Sequence, residues 1–205
     1  MQRYLVYLAG SLAILLVLVS GCTSPSTPAD PAPLPAAASS SATTPAASAD
    51  RGANSLTLKV GDLTFGSQLP DIHTCKGASE SPGVAWDGIP RGTKSLVLIL
   101  DDPDAPAGTF THWILYNIPP KKGSLGPAQT NAKVLANGAQ QGDTSAGSRG
   151  YYPVCPPIGS THRYVFSLYA VDMDIAQPTA NRESIDWALD GHTIARTELV
   201  TTFTR

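Results

Sequence analysis

The run Ser95–Leu100, SLVLIL, has no polar face. A strand wetted on one side alternates apolar and polar residues, so an unbroken run of β-formers demands cover on both faces. That demand restricts the fold more than any other feature of the chain. The run ends in Asp101, Asp102 and Asp104, with Pro103 and Pro106 set among them. Proline fixes φ and disfavours helix in the residue before it, so these carboxylates stand on a stiff bend. The chain turns at Gly108 and enters a second apolar run, Thr111–Ile118, which begins beside His112.

Other segments also read as strands. Ser55–Val60 alternates, and Arg163–Val171, RYVFSLYAV, is a further apolar run opened by His162. Gly66, Pro70, Gly83, Gly88, Pro90 and Gly92 punctuate the gaps. Arg182–Leu189 has helical spacing, with Ile185, Ala188 and Leu189 on one face and Asp190-Gly191 as its end. A further helical turn or two is expected over His192–Glu198, before a last strand, LVTTF. The pattern predicts a mainly β protein, an antiparallel β-sandwich with short C-terminal helices. Trp86, Trp113 and Trp187 are expected in the packing.

The amino terminus belongs to no fold. Arg3 precedes an apolar stretch, Tyr4–Leu18, and then Val19-Ser20-Gly21-Cys22. Charge, apolar run and small residues in that order mark an export signal over residues 1–21. A cysteine directly after Ser-Gly resembles the bacterial lipobox, which implies that Cys22 carries lipid. Stable anchoring needs more than one acyl chain, and a lipoprotein supplies several. Residues 22–54 are Ala, Pro, Ser and Thr with little else, a composition unable to offset its own ordering entropy. They read as a linker tethering a domain of residues 55–205 to a membrane of the bacterial envelope. A domain of that length suits one core. The net charge of −2 gives no basic surface for nucleic acid.

With Cys22 assigned, Cys75 and Cys155 remain, and in an exported domain they are candidates for a disulfide. The alternative is two buried free thiols. His112 and His162 each open a strand, and the loop GSRGYYPVCPPIG before His162 is dense in Gly and Pro. Such loops turn backbone N–H groups toward anions. Two imidazoles and a carboxylate also suit zinc or iron, but no H-E-x-x-H pattern accompanies them, and no metal is expected. The stretch GDTSAG lacks the form of a G-x-S-x-G nucleophile elbow, so no enzyme activity is expected.

DPDAP, HW and NIP, followed by CPP, HRYVF and LYA, resemble the phosphatidylethanolamine-binding protein family, which includes the Raf kinase inhibitor proteins. The stretch leading into DPDAP and the tail GHTIARTELVTTFTR are similar as well, so the resemblance covers nearly all of Leu56–Arg205. It implies a β-sandwich with a small mouth for anions such as phospholipid headgroups, and no cofactor. Onto that mouth it carries Asp102 and Asp104 from DPD, His112 before the tryptophan, and His162 and Tyr164 from HRY. Gly150, Tyr151, Pro156 and Pro157 match the loop that walls it. Asp104 is expected to be mainly structural. Pro153 departs from the family's usual glycine and removes one N–H, which moves any donor role to Val154 and Cys155. The expectation is a non-catalytic, membrane-tethered protein that binds a small anion or headgroup. The alternative is an inhibitor of an envelope protease, or of a kinase-like partner, acting through the rim of the same pocket.

Overall fold

A computed structural model describes residues 55–176 and 180–205. The expected signal segment, the expected lipidation site Cys22 and the expected linker all lie outside the described residues. Eight strands form two antiparallel sheets. Strands β1 (Thr57–Val60), β2 (Val84–Asp87) and β5 (Gly123–Leu125) make the small sheet, in the order β1-β2-β5. The large sheet runs β6-β4-β3-β7-β8, built from β3 (Ser95–Asp102), β4 (Phe110–Ile118), β6 (Gln140–Gln141), β7 (Thr161–Val171) and β8 (Thr193–Thr204).

β3 is the central strand, and its apolar run is covered on both faces. Leu96, Leu98 and Leu100 point to the core shared with Val60, Val84 and Trp86 of the small sheet. Val97 and Ile99 point the other way, into a second core closed by the helix α1 (Arg182–Leu189). Each of these five β3 side chains is at most 1% exposed. Burial of such a side chain contributes roughly 1.5–3 kcal/mol, so this one strand fastens both layers.

The helix keeps its expected bounds. Asn181 caps it by accepting from the Ser184 N–H at 2.9 Å, and Ile185, Ala188 and Leu189 are buried. Two expectations fail nearby. His192–Glu198 is not helical; Thr193–Thr204 is one long strand paired residue by residue with β7. β7 is eleven residues long, and its ladder satisfies more backbone groups than a short helical turn would. Among the described residues α1 is therefore the one α-helix. Trp187 lies on the outer face of α1 and is 83% exposed, while Trp86 and Trp113 are buried. Trp187→Ser should accordingly change unfolding free energy by no more than about 0.5 kcal/mol, checked by urea denaturation.

The predicted bridge between Cys75 and Cys155 is present. It joins the turn after the short 3-10 helix Asp71–His73 to the Pro-rich loop before β7. A backbone hydrogen bond from Cys75 N–H to the Val154 carbonyl, 3.1 Å, runs beside it.

Candidate functional site

In an antiparallel sheet the end of one strand lies beside the start of each neighbour. The carboxyl end of β3 thus meets the amino ends of β4 and β7, which brings Asp102, His112 and His162 to one end of the large sheet. Face matters as much as end. Asp102 continues the series Leu96, Leu98, Leu100, and His162 continues Tyr164, Phe166, Leu168, so both belong to the side facing the small sheet. His112 would follow Ile114 and Tyr116 to the helix side if β4 alternated regularly. It does not, because a register shift leaves His112 as the extra residue between the pairs Leu100↔Trp113 and Asp101↔Thr111. Bulges re-aim side chains in this way. Here the bulge turns His112 onto the face of Asp102, where its ring meets Tyr164 edge-on at 5.5 Å.

The three acids of the bend have separate tasks. Asp101 faces the helix side and accepts from the Thr111 hydroxyl (2.6 Å) and from Arg182 Nε (3.1 Å), tying α1 to the strand end. Asp104 clamps Arg163, accepting from its N–H, Nε and Nη2 at 2.9, 2.9 and 2.6 Å. That hydrogen-bonded guanidinium holds the Asp104 carboxyl down at about 2. Asp102 is the buried one. Its Oδ1 accepts the Asp104 N–H at 2.9 Å, and its Oδ2 accepts from His162 Nδ1 at 2.8 Å.

Both rings have their tautomer assigned by their partners. A carboxylate or carbonyl only accepts, so His162 Nδ1–H donates to Asp102, and His112 Nδ1–H donates to the Tyr152 carbonyl at 3.0 Å. Nε2 remains as the free nitrogen of each ring. Burial holds the His112 imidazole below the ordinary histidine range, against smaller upward pushes from the Tyr152 carbonyl, Asp102 and Asp101. A group depressed in this way contributes its stability in full above its unfolded value, about pH 6.5, and loses it as pH falls through the folded value. Protonation driven by a bound anion has the opposite pH sign.

Asp102, His112 and His162 open onto one cavity of about 440 Å³. Its walls include Phe110, Tyr152, Pro153, Cys155, Pro156 and Pro157, with Arg205 also on its lining. Phe110, His112 and Tyr152 form an aromatic cluster with centroids 4.7–6.1 Å apart.

Four expected mouth residues, Asp104, Gly150, Tyr151 and Tyr164, do not line this cavity. Asp104 is occupied by Arg163. Tyr151 points inward, stacks edge-on against Trp113 at 5.7 Å, and donates its hydroxyl to the His73 carbonyl. Tyr164 is fully buried behind the cavity, with its hydroxyl close to the Asp102 carboxylate. Burial raises the Tyr164 hydroxyl above its usual range, and the nearby Asp102 charge adds to this. The tyrosine at the wall is Tyr152, one residue along. Nor does Val154 offer a donor there: it is fully buried, outside the lining, and its carbonyl accepts from Cys75. Phe110 and Arg205 were missed by sequence reasoning. No local signal marks Arg205, which reaches the cavity because β8 runs antiparallel to β7 and pairs Thr204 with Thr161 at the His162 end. Among the described residues no group of three or more His, Cys, Asp or Glu is arranged to hold a metal ion.

Comparison with known proteins agrees with this fold. A family model described as phosphatidylethanolamine-binding protein matches residues 60–204. A UPF0098 protein of Methanothermobacter thermautotrophicus is 40% identical over 152 residues, 73% of this chain and 99% of that protein. The Mycobacterium tuberculosis protein named "Putative lipoprotein LppC" is 37% identical over 146 residues, 71% of this chain and 68% of that one. Among solved structures, the phosphatidylethanolamine-binding protein homolog CT736 of Chlamydia trachomatis superposes with a TM-score of 0.67 at 35% identity, covering 75% of this chain and 99% of CT736.

Proposed function

Because this chain belongs to the phosphatidylethanolamine-binding protein family, we propose that its cavity holds a small anionic group, a phosphate or phospholipid headgroup, without catalysing a reaction. The observation that carries the reading is the buried pair Asp102–His162 on the cavity wall, with Nε2 of both histidines left for a ligand. A carboxylate beside an anion site looks repulsive. Its effect runs through the ring: Asp102 fixes the tautomer and favours imidazolium once an anion arrives. A charge-assisted hydrogen bond from Nε2–H then contributes roughly 1.5–3 kcal/mol. The N-terminal lipobox-like stretch and the lipoprotein name of the mycobacterial relative support a protein lipidated at Cys22 and anchored to a membrane of the bacterial envelope.

Since both Nε2 atoms must carry a proton to donate, binding takes up protons. Calorimetry with inorganic phosphate should show affinity falling about tenfold or more between pH 5.5 and 8, across the histidine range. Affinity flat over that interval would remove the imidazolium from the account.

One observation favours a second reading, in which a protein segment seats on the rim. Ile158, between Pro157 of the wall and Gly159, is 83% exposed, and Tyr152 of the wall is 38% exposed. An inhibitor of an envelope protease would use such an apolar edge. Phosphate that competes with a captured partner would place both at the same mouth.

A further inference from the structure

Resting on the reading that the cavity takes an anion, we propose that Arg205 is the specificity-determining residue that makes the cavity attract anions at neutral pH.

The argument is a count of charges. β3 contributes Asp102, an anion. β4 contributes His112 and β7 contributes His162. With Nδ1–H committed to Tyr152 and Asp102, each neutral ring turns only a lone pair, Nε2, to a ligand. A lone pair offers an anion's oxygens no donor, and the Asp102 carboxylate repels them. Among the neighbouring cations, Arg163 is paired with Asp104 and Arg182 with Asp101 and Asp186, while Lys76 donates to the Thr204 carbonyl at 3.0 Å, lies over the Phe203 ring and is not part of the cavity lining. Tyr152 and the buried Tyr164 add no charge. Without a further cation, a cavity with both rings neutral would present one negative charge and two lone pairs.

Arg205 is that further cation. It lines the cavity and has no ion-pair partner among the described residues. Its main chain is fixed at the cavity, since Gly159 N–H donates to the Arg205 carbonyl at 2.8 Å and the Arg205 N–H donates to the Ser160 carbonyl at 3.3 Å. Those bonds fasten the end of β8 to the Pro157–Ser160 turn, whose first residue is part of the wall. A guanidinium stays protonated at every physiological pH and matches two oxygens of a phosphate or carboxylate at once. Arg205 thus supplies permanent attraction, and the histidines add a second, acid-dependent grip.

The two contributions separate by pH. Inorganic phosphate titrated into wild-type protein and Arg205→Ala should differ by at least about tenfold in affinity at pH 7.5. At pH 5.5, where protonated rings carry the attraction, the gap should shrink to about threefold or less. Arg205→Lys should fall between them at pH 7.5, keeping charge but not the fork. The alanine variant retains the main chain, so the difference isolates the guanidinium; an unchanged thermal midpoint confirms folding. Equal affinities at pH 7.5, with wild type binding, would overturn the role of Arg205 and leave the anion site standing. Wild type silent to 10 mM phosphate at both pH values would overturn the anion site itself, and Arg205 with it.

Discussion

Replacing Cys75 and Cys155 together by serine should lower the stability of the domain by roughly 4 kcal/mol. The two cysteines are 80 residues apart in sequence, so the bridge closes a long loop in the unfolded chain. Chain-entropy reasoning assigns a loop of that length about 4.5 kcal/mol, near the top of the range for native bridges. For a domain of this size the thermal midpoint should fall by about 8–16 °C. The wall of the cavity should suffer first. Pro153, Pro156 and Pro157 have no N–H, so this stretch has few donors with which to hold itself. At its ends the stretch is tied by the paired bonds between Tyr152 and His112 and by those of Gly159 and Ser160 to Arg205; between them stand the bond from Cys75 N–H to the Val154 carbonyl, the turn after Pro157, and the bridge. Hydrogen exchange in the serine variant should show the Tyr152–Ser160 backbone opening well before β3. Calorimetric unfolding that shifts by less than 3 °C would mean that the bridge is incidental.

The second large effect concerns the acid in the anion site. Asp102→Ala should weaken phosphate binding about tenfold at pH 6, although it removes a negative charge from beside a negative ligand. Pairwise repulsion predicts the reverse. The difference lies in the ring: without Oδ2 to accept Nδ1–H, His162 loses both its orientation and the partner that stabilises its charged form. His162→Ala should be worse, about a hundredfold, because it leaves a buried carboxylate uncompensated where the anion belongs. The double variant should then bind better than His162→Ala alone. Such non-additivity is the signature of two residues acting as one unit. An Asp102→Ala protein that binds phosphate more tightly than wild type would refute the unit.

Much of this site was legible from local chemistry, and the limits are instructive. The bend with its acids could be read because proline and aspartate act on their immediate neighbours. Which acid does what could not, since Asp101, Asp102 and Asp104 are told apart by partners 81, 60 and 59 residues away. Motif matching selected Tyr151 for the mouth, whereas the observed backbone turns Tyr151 to Trp113 and Tyr152 to the cavity. Adjacent residues point opposite ways in extended chain, so a shift of one reverses the assignment. The mistaken helical turn over His192–Glu198 has a related cause: helix is decided locally, while β8 exists because β7 offers it a full ladder.

Local residue chemistry was enough to specify the doubly buried strand, the stiff acidic bend and the helix Arg182–Leu189. The sequence also carried the pair of cysteines and the motifs of the family. Each of these depends on residue chemistry within a few positions. Tertiary structure decided the rest: the bulge that swings His112 onto the face of Asp102, the division of labour among three carboxylates, and the arrival of Arg205 at the far end of β8. Those depend on strand register, which is settled only when segments distant in the chain pair across a sheet and bury a common core.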